Sequence, residues 1–99
     1  MIFGWFDARP AREFGSELAS AFVALVPIDG ATSDRRFEAK VKSAMSQLGR
    51  RVADFRRNRH LNTYQKAQLG NTFKWTLKDA GYDAAYVDKL TDWLVLQLQ

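Results

Sequence analysis

The strongest constraint in this sequence is an apolar stripe that recurs at three- and four-residue steps between residues 37 and 55. Its members are Phe37, Val41, Ala44, Met45, Leu48, Val52 and Phe55. This spacing is typical of one face of an α-helix, because about 3.6 residues make one turn. The stripe therefore predicts a long amphipathic helix over residues 34–59, with Thr32, Ser33 and Asp34 as candidate caps.

The segment before the long helix carries a second stripe, which includes Phe14, Leu18 and Phe22. It predicts a helix over residues 8–26, with Pro10 in the first turn, where the missing N–H of proline does no harm. Apolar residues also precede this helix, and we expect them to fold back onto the bundle rather than to bind a membrane. They are Ile2, Phe3, Trp5 and Phe6.

Two shorter helices are predicted in the last third of the chain. Asn62 and Gln65 have the spacing of a capping box, which predicts that a helix over residues 63–80 begins there. Gly70, within that helix, costs stability and indicates the close approach of a neighbouring helix.

The last helix, over residues 84–98, follows a short connection. Gly81 suits the left-handed conformation that ends a helix, and Asp83 can cap the next one. Because the connection is short, these two helices should lie side by side as a helical hairpin. No segment alternates with period two, so the predicted fold class is all-α, a single-domain bundle of three to four helices over residues 1–99.

The composition argues against several kinds of functional site. The chain has no cysteine and one histidine, His60, which leaves no thiolate and only scattered carboxylates to bind a metal. Neither of the common glycine-rich phosphate-binding spacings occurs. No nucleophile, base and orienting residue can be grouped from the sequence, and His60 is better explained by the favourable interaction of a cation with a helix C-terminus. We therefore expect no catalysis, cofactor or metal.

The sequence also predicts where the protein resides. No apolar stretch approaches the roughly 20 residues that span a bilayer. The first ten residues lack the basic region of a secretory signal. These features predict a cytoplasmic protein without a membrane partner.

The charge is distributed unevenly along the chain. Residues 35–59 hold nine basic side chains against Glu38 and Asp54, whereas the rest holds six basic and nine acidic ones. Most of these cations fall opposite or beside the apolar stripe of the long helix, where phosphates would bind favourably. The candidate anion- or nucleic-acid-binding residues are Arg35, Arg36, Lys40, Lys42, Arg50, Arg51 and Arg57. The alternative is a solvated face, partly paired with Glu38, Asp54 and the acidic end of the chain.

A second set of residues forms a line on the predicted third helix, away from its apolar stripe. Tyrosine and tryptophan are enriched at protein interfaces, and an apolar surface larger than one face can bury indicates a partner. The candidate protein-interaction residues are Tyr64, Gln68, Asn71, Trp75 and Lys78, together with Val95 and Leu96 of the last helix. The alternative is that Trp75 packs within the bundle.

These patterns predict a function in binding rather than catalysis. The favoured interpretation is a protein-interaction module that binds an unknown protein or self-associates. The alternative is a nucleic-acid-binding module that uses the basic face of the long helix.

Overall fold

The computed structural model describes residues 7–26 and 35–99, and in these ranges the chain is all-α with no strand. Four helices are present: α1 (Arg9–Leu25), α2 (Arg35–Asn58), α3 (Thr63–Asp79) and α4 (Ala84–Gln97). The predicted fold class is confirmed, and the predicted helix limits agree to within about one residue. The predictions for Ile2, Phe3, Trp5 and Phe6, and for the caps Thr32, Ser33 and Asp34, lie outside the described residues.

The helix ends follow the local sequence signals. The backbone N–H of Gln65 donates to Asn62 Oδ1 at 2.8 Å, and that of Asn62 donates to Gln65 Oε1 at 2.9 Å, so the predicted capping box is confirmed. Asp83 Oδ2 accepts from the backbone N–H of Tyr86 at 3.1 Å. Gly81 has φ 105°, the left-handed conformation that lets the chain turn from α3 into α4.

The four helices form a bundle in which each helix has two neighbours. Helix α1 packs against α2 and α3, and α4 packs against the same two helices. Residues early in α1 meet residues early in α3, as the hydrogen bond from Gln65 Nε2 to Asp7 O shows. By contrast, Phe14 stacks on Phe55, so α1 and α2 are antiparallel. The connection over residues 59–62 therefore crosses the end of the bundle.

The closest contact in the bundle joins α1 to α3. A Cβ atom built on Gly15 would lie 2.5 Å from the backbone oxygen of Leu69, a distance that no side chain can tolerate. The other residues on this side of α1, Ala11 and Ala19, are also small and buried. Small side chains allow two helix backbones to come close together, so this face makes α1–α3 the most extensive contact in the fold.

The core is apolar and continuous across all four helices. The largest fully buried side chains are Phe22, Phe73, Leu18, Leu48, Leu69, Leu77, Leu94, Leu98, Val26, Val52 and Val87. No polar or charged residue is buried among the described residues. At one end of the core the Tyr82 hydroxyl donates to the carbonyl of Val26. The predicted stripe of α2 faces this core, with Leu48 fully buried and Phe37 and Phe55 packed at its edge.

Candidate anion-binding surfaces and exposed aromatic face

The outer side of α2 is lined by cations. Lys42, Arg50 and Arg57 are exposed and lie opposite the buried stripe, while Lys40 and Arg51 are exposed along one flank. We call these five residues the α2 basic face. At 1.5 Å per residue, the face extends over about 26 Å of helix. The side chains of Arg35 and Arg36, the remaining predicted members, lie outside the described residues.

Few of these charges are neutralised within the described chain. Within residues 7–26 and 35–99, the one ion pair of the face joins Arg57 Nη2 to Asp54 Oδ1 at 2.8 Å, and both side chains are well exposed. Arg50 Nη1 donates to the uncharged Ser46 hydroxyl at 3.4 Å. An exposed pair of this kind contributes at most about 1 kcal/mol and exchanges readily with other anions.

The acidic end of the chain does not neutralise the α2 basic face. On α4, Asp88 Oδ1 lies 3.4 Å from Lys78 Nζ and 3.7 Å from Lys74 Nζ, so this carboxylate pairs with α3. Where α4 reaches α2 it does so with apolar residues and with its C-terminal backbone: the ring of Trp93 lies beside Gly49. No described ion pair therefore joins the acidic end of the chain to the α2 basic face. The screening of that face, which the sequence left as a possibility, is not observed among the described residues.

A second basic surface lies where α2 ends, and the sequence analysis did not group its residues. A cavity of about 350 Å³ is lined by Arg56, Arg57, Arg59, His60 and Lys66, with apolar walls from Ala53, Leu61 and Leu98. We call it the basic cavity. Its residues come from α2, the 59–62 connection, α3 and the end of α4. Because these segments are separate in the sequence, the available sign of the cavity was the cluster of arginines in residues 50–60.

Two of the arginines in the basic cavity are held by contacts within the chain. Arg56 Nη1 donates to the carbonyl of Gln97 at 2.9 Å, and its Nη2 donates to the main-chain oxygen of Gln99 at 3.0 Å. The guanidinium of Arg59 lies 5.6 Å from the centre of the Phe55 ring. Both contacts restrict the position of a cation, and the one with the Phe55 ring does so without cancelling the charge.

The groove between α1 and α2 differs from the basic cavity in charge. It encloses about 670 Å³ above Phe14 and Phe55, whose rings stack at 4.0 Å. Its walls carry carboxylates as well as guanidinium groups. These charged lining residues are Glu13, Glu17, Asp54, Arg51 and Arg59.

The predicted line on α3 lies on the outside of the bundle around Trp75, whose surface is 52% exposed. The indole Nε1 donates to Asn71 Oδ1 at 3.1 Å, and Lys78 Nζ lies 5.3 Å from the ring centre. Tyr64 and Gln68, earlier on the same line, are half-buried. The indole therefore makes two contacts on its own helix while about half of the Trp75 surface is open to solvent.

The two apolar residues predicted for α4 lie in different environments. Val95 is half-buried, and its Cγ2 atom lies 3.4 Å from the Cβ position of Gly70, so Val95 contributes to the contact between α3 and α4. The approach that Gly70 predicted is therefore made by α4. Leu96 is 69% exposed and stays available for a partner.

The described residues show little that would support metal chemistry. They contain no group of three or more histidine, cysteine, aspartate or glutamate side chains that could hold a metal ion. His60 is exposed at the rim of the basic cavity. No described helix combines the length and the apolar character that crossing a bilayer requires.

Comparison with known proteins identifies no relative. The chain matches no protein-family model, and neither the curated proteins nor the solved structures give a significant match.

Proposed function

We propose that this chain is a non-catalytic binding module whose α2 basic face binds a nucleic-acid duplex. The observation that carries the proposal is that all five cations of the face are exposed and that, among the described residues, only Arg57 is paired with a carboxylate. The sequence favoured a protein partner because an acidic end could screen the basic helix. Because Asp88 pairs with Lys74 and Lys78 of α3, this carboxylate does not screen the α2 basic face.

The shape of the face also suits a duplex. An α-helix with its side chains is about 10–12 Å wide, which matches a major groove of about 12 Å. The cations of the face are distributed along the helix, so they would contact several phosphates rather than one. Contacts of this type release condensed counterions and carry no sequence information. The expected binding is therefore independent of sequence and strongly dependent on salt.

The salt dependence of duplex binding tests this proposal. Five neutralised phosphates give a slope of about −4.5 for the logarithm of the association constant against the logarithm of salt concentration. The double variant Lys42→Gln/Arg50→Gln should bring the slope to about −2.7, because two contacts are lost. Fluorescence anisotropy of a labelled duplex, measured from about 20 to 200 mM salt, gives both slopes.

A matched control distinguishes the effect of the α2 basic face on the salt slope from the effect of net charge. Arg12 on α1 and Lys89 on α4 are also exposed, and neither belongs to the α2 basic face. Arg12→Gln/Lys89→Gln removes the same net charge and should keep the wild-type slope. Equal losses in both double variants, or no binding by the wild type at low salt, would refute the proposal.

A second proposal concerns Trp75, and it is carried by the exposure of an indole ring that is hydrogen-bonded to Asn71. We propose that this face binds a protein, and that a second copy of the chain is one such partner. Large rigid aromatic side chains contribute binding energy with little loss of conformational entropy. Sedimentation equilibrium should then show a dimer that Trp75→Ala dissociates, and identical monomeric behaviour of both chains would rule out self-association through Trp75.

A further inference from the structure

We infer that the basic cavity at the end of α2 binds a phosphate monoester. This site is separate from the proposed duplex surface, since His60, Lys66, Arg56 and Arg59 do not belong to the α2 basic face. Only Arg57 lines both surfaces. The inference follows from the convergence of charge, from the way that charge is held and from the size of the cavity.

The cations of the cavity exceed what the fold needs. The N-termini of α1 and α3 and the C-termini of α2 and α4 meet at this end of the bundle, and because each is equivalent to about half a charge, their contributions cancel. Asp54 adds one full negative charge beside Arg57. Three arginines and Lys66 therefore outnumber this carboxylate and leave at least about two positive charges uncompensated. A phosphate monoester carries about −1.5 to −2 charges near neutral pH, which matches this excess.

Donors of the cavity are already positioned before any ligand binds. Arg56 uses two N–H groups on the main-chain oxygens of Gln97 and Gln99, which leaves three of its five donors. Arg59 is held against the Phe55 ring. A ligand that binds here does not have to order these side chains, so less conformational entropy is lost on binding.

The size and lining of the cavity also suit a phosphate monoester. The volume of about 350 Å³ is at the small end of the range for small-molecule sites, and it suits one phosphate with a small attached group. Leu61 and Leu98 supply apolar walls against which a sugar or a similar group can pack. Along the α2 basic face, by contrast, the cations are spread out and cannot converge on a single dianion.

Nuclear magnetic resonance can test this inference directly, because His60 is the only histidine and its ring signals are unambiguous. Inorganic phosphate and a nucleoside monophosphate should each shift these signals saturably, whereas chloride at equal ionic strength should not. Lys66→Gln should weaken binding about tenfold, the factor for one charge-assisted hydrogen bond. The control Lys89→Gln should not change it. Absence of a saturable shift, or equal effects of the two variants, would overturn the inference.

Two sources of the phosphate monoester are distinguished by a matched pair of oligonucleotides. If a strand end is the ligand, a single-stranded oligonucleotide with a 5′-phosphate should bind about tenfold more tightly than its 5′-hydroxyl form. Lys66→Gln should abolish that preference. If the nucleoside monophosphate binds but the two oligonucleotides do not differ, the cavity is a site for a free phosphorylated small molecule.

The test also separates this site from duplex binding. Lys42→Gln/Arg50→Gln should leave the His60 response intact. If the chain does not bind a duplex but phosphate still shifts the His60 signals, the phosphate site is supported and the proposed duplex-binding function is refuted. If the chain binds the duplex but phosphate does not shift the His60 signals, the duplex-binding function is supported and the phosphate site is refuted.

Discussion

The α1–α3 contact and the outer side of α2 use their side chains in opposite ways. Along α1 the buried face is built from small residues, and at Gly15 the backbone of α3 occupies the space where a side chain would lie. Helix α2 is longer, yet among its described side chains only Ala44, Leu48 and Val52 are fully buried. The comparison shows that the α1–α3 pair provides most of the tight packing. The exposed side of α2 is therefore available to carry charged side chains.

The largest expected difference between these regions concerns buried aromatic rings. Phe73 of α3 is fully buried, so Phe73→Ala should lower the free energy of unfolding by about 3–5 kcal/mol. Phe55 of α2 is half-buried and stacked on Phe14, so Phe55→Ala should cost about 1–2 kcal/mol. Urea unfolding followed by circular dichroism measures both values. A cost at Phe55 as large as that at Phe73 would contradict the comparison.

The helical glycines sharpen the comparison at the level of the backbone. Gly15→Ala would place Cβ against the Leu69 carbonyl, so the helices must move apart, and we expect a loss of about 1–3 kcal/mol. At Gly49 of α2 the nearest neighbour of a new Cβ is the end of the Trp93 ring, at 3.9 Å. Gly49→Ala should therefore raise stability by about 0.5–1 kcal/mol through helix propensity.

Thermal and urea unfolding measure the effects of both glycine variants, and a third variant at Gly70 provides a control with an intermediate expected effect. A new Cβ at Gly70 would meet only the Cγ2 atom of Val95, at 3.4 Å. Gly70→Ala should therefore fall between the other two variants. A ranking in which Gly15→Ala is the mildest of the three would show that α1 and α3 do not cross where the structure places them.

The two tyrosines at the end of the core provide a smaller contrast. The Tyr82 hydroxyl donates to Val26 O, so Tyr82→Phe should cost about 0.5–1.5 kcal/mol. The Tyr86 hydroxyl is buried with no hydrogen-bond partner in the described structure, so Tyr86→Phe should be neutral or slightly stabilising. Chemical denaturation at pH 7 measures both. A larger loss at Tyr86 would show that its hydroxyl has a partner.

Burial also makes these tyrosines sensitive to alkaline pH. Desolvation raises the pKa of Tyr82, and it raises the pKa of Tyr86 with a further contribution from nearby Tyr82. Because the folded-state pKa exceeds the unfolded value near 10, the contribution to stability is complete below pH 10 and is lost as the pH rises further. Tyr82→Phe/Tyr86→Phe should flatten the fall in stability above pH 10, and an unchanged pH profile would contradict this.

The smallest expected effect on stability belongs to the α2 basic face. Lys42 and Arg50 are exposed and form no ion pair among the described residues, so Lys42→Gln/Arg50→Gln should change the free energy of unfolding by less than about 0.5 kcal/mol. Thermal unfolding of this variant beside the wild type checks the value. A loss above about 1 kcal/mol would mean that the cations stabilise the fold rather than serve a ligand.

The sequence predicted the helices well because their signals are local. The stripe of α2, the Asn62 capping box and the Gly81 turn each depend on residues a few positions apart. The partners of each helix could not be predicted in this way. The small residues Ala11, Gly15 and Ala19 recur at four-residue steps, and this spacing was the available signal for the close approach to α3.

The candidate sites were predicted less completely, for a related physical reason. Exposure of Lys42, Arg50 and Trp75 follows from their positions opposite or beside an apolar stripe. The basic cavity joins Arg56, Lys66 and the end of α4, which are distant in the sequence and meet only when the 59–62 connection crosses the bundle. The pairing of Asp88 with α3 also depends on how α4 is rotated in the hairpin.

The central claim, that α2 is the nucleic-acid-binding helix, is tested most directly by amide chemical shifts of the ¹⁵N-labelled chain during titration with a short duplex. The account predicts that the largest changes fall on residues 40–57, on the outer side of α2, while the Trp75 face of α3 stays unchanged. Changes concentrated around Trp75 with α2 unaffected, or no changes at low salt, would contradict it.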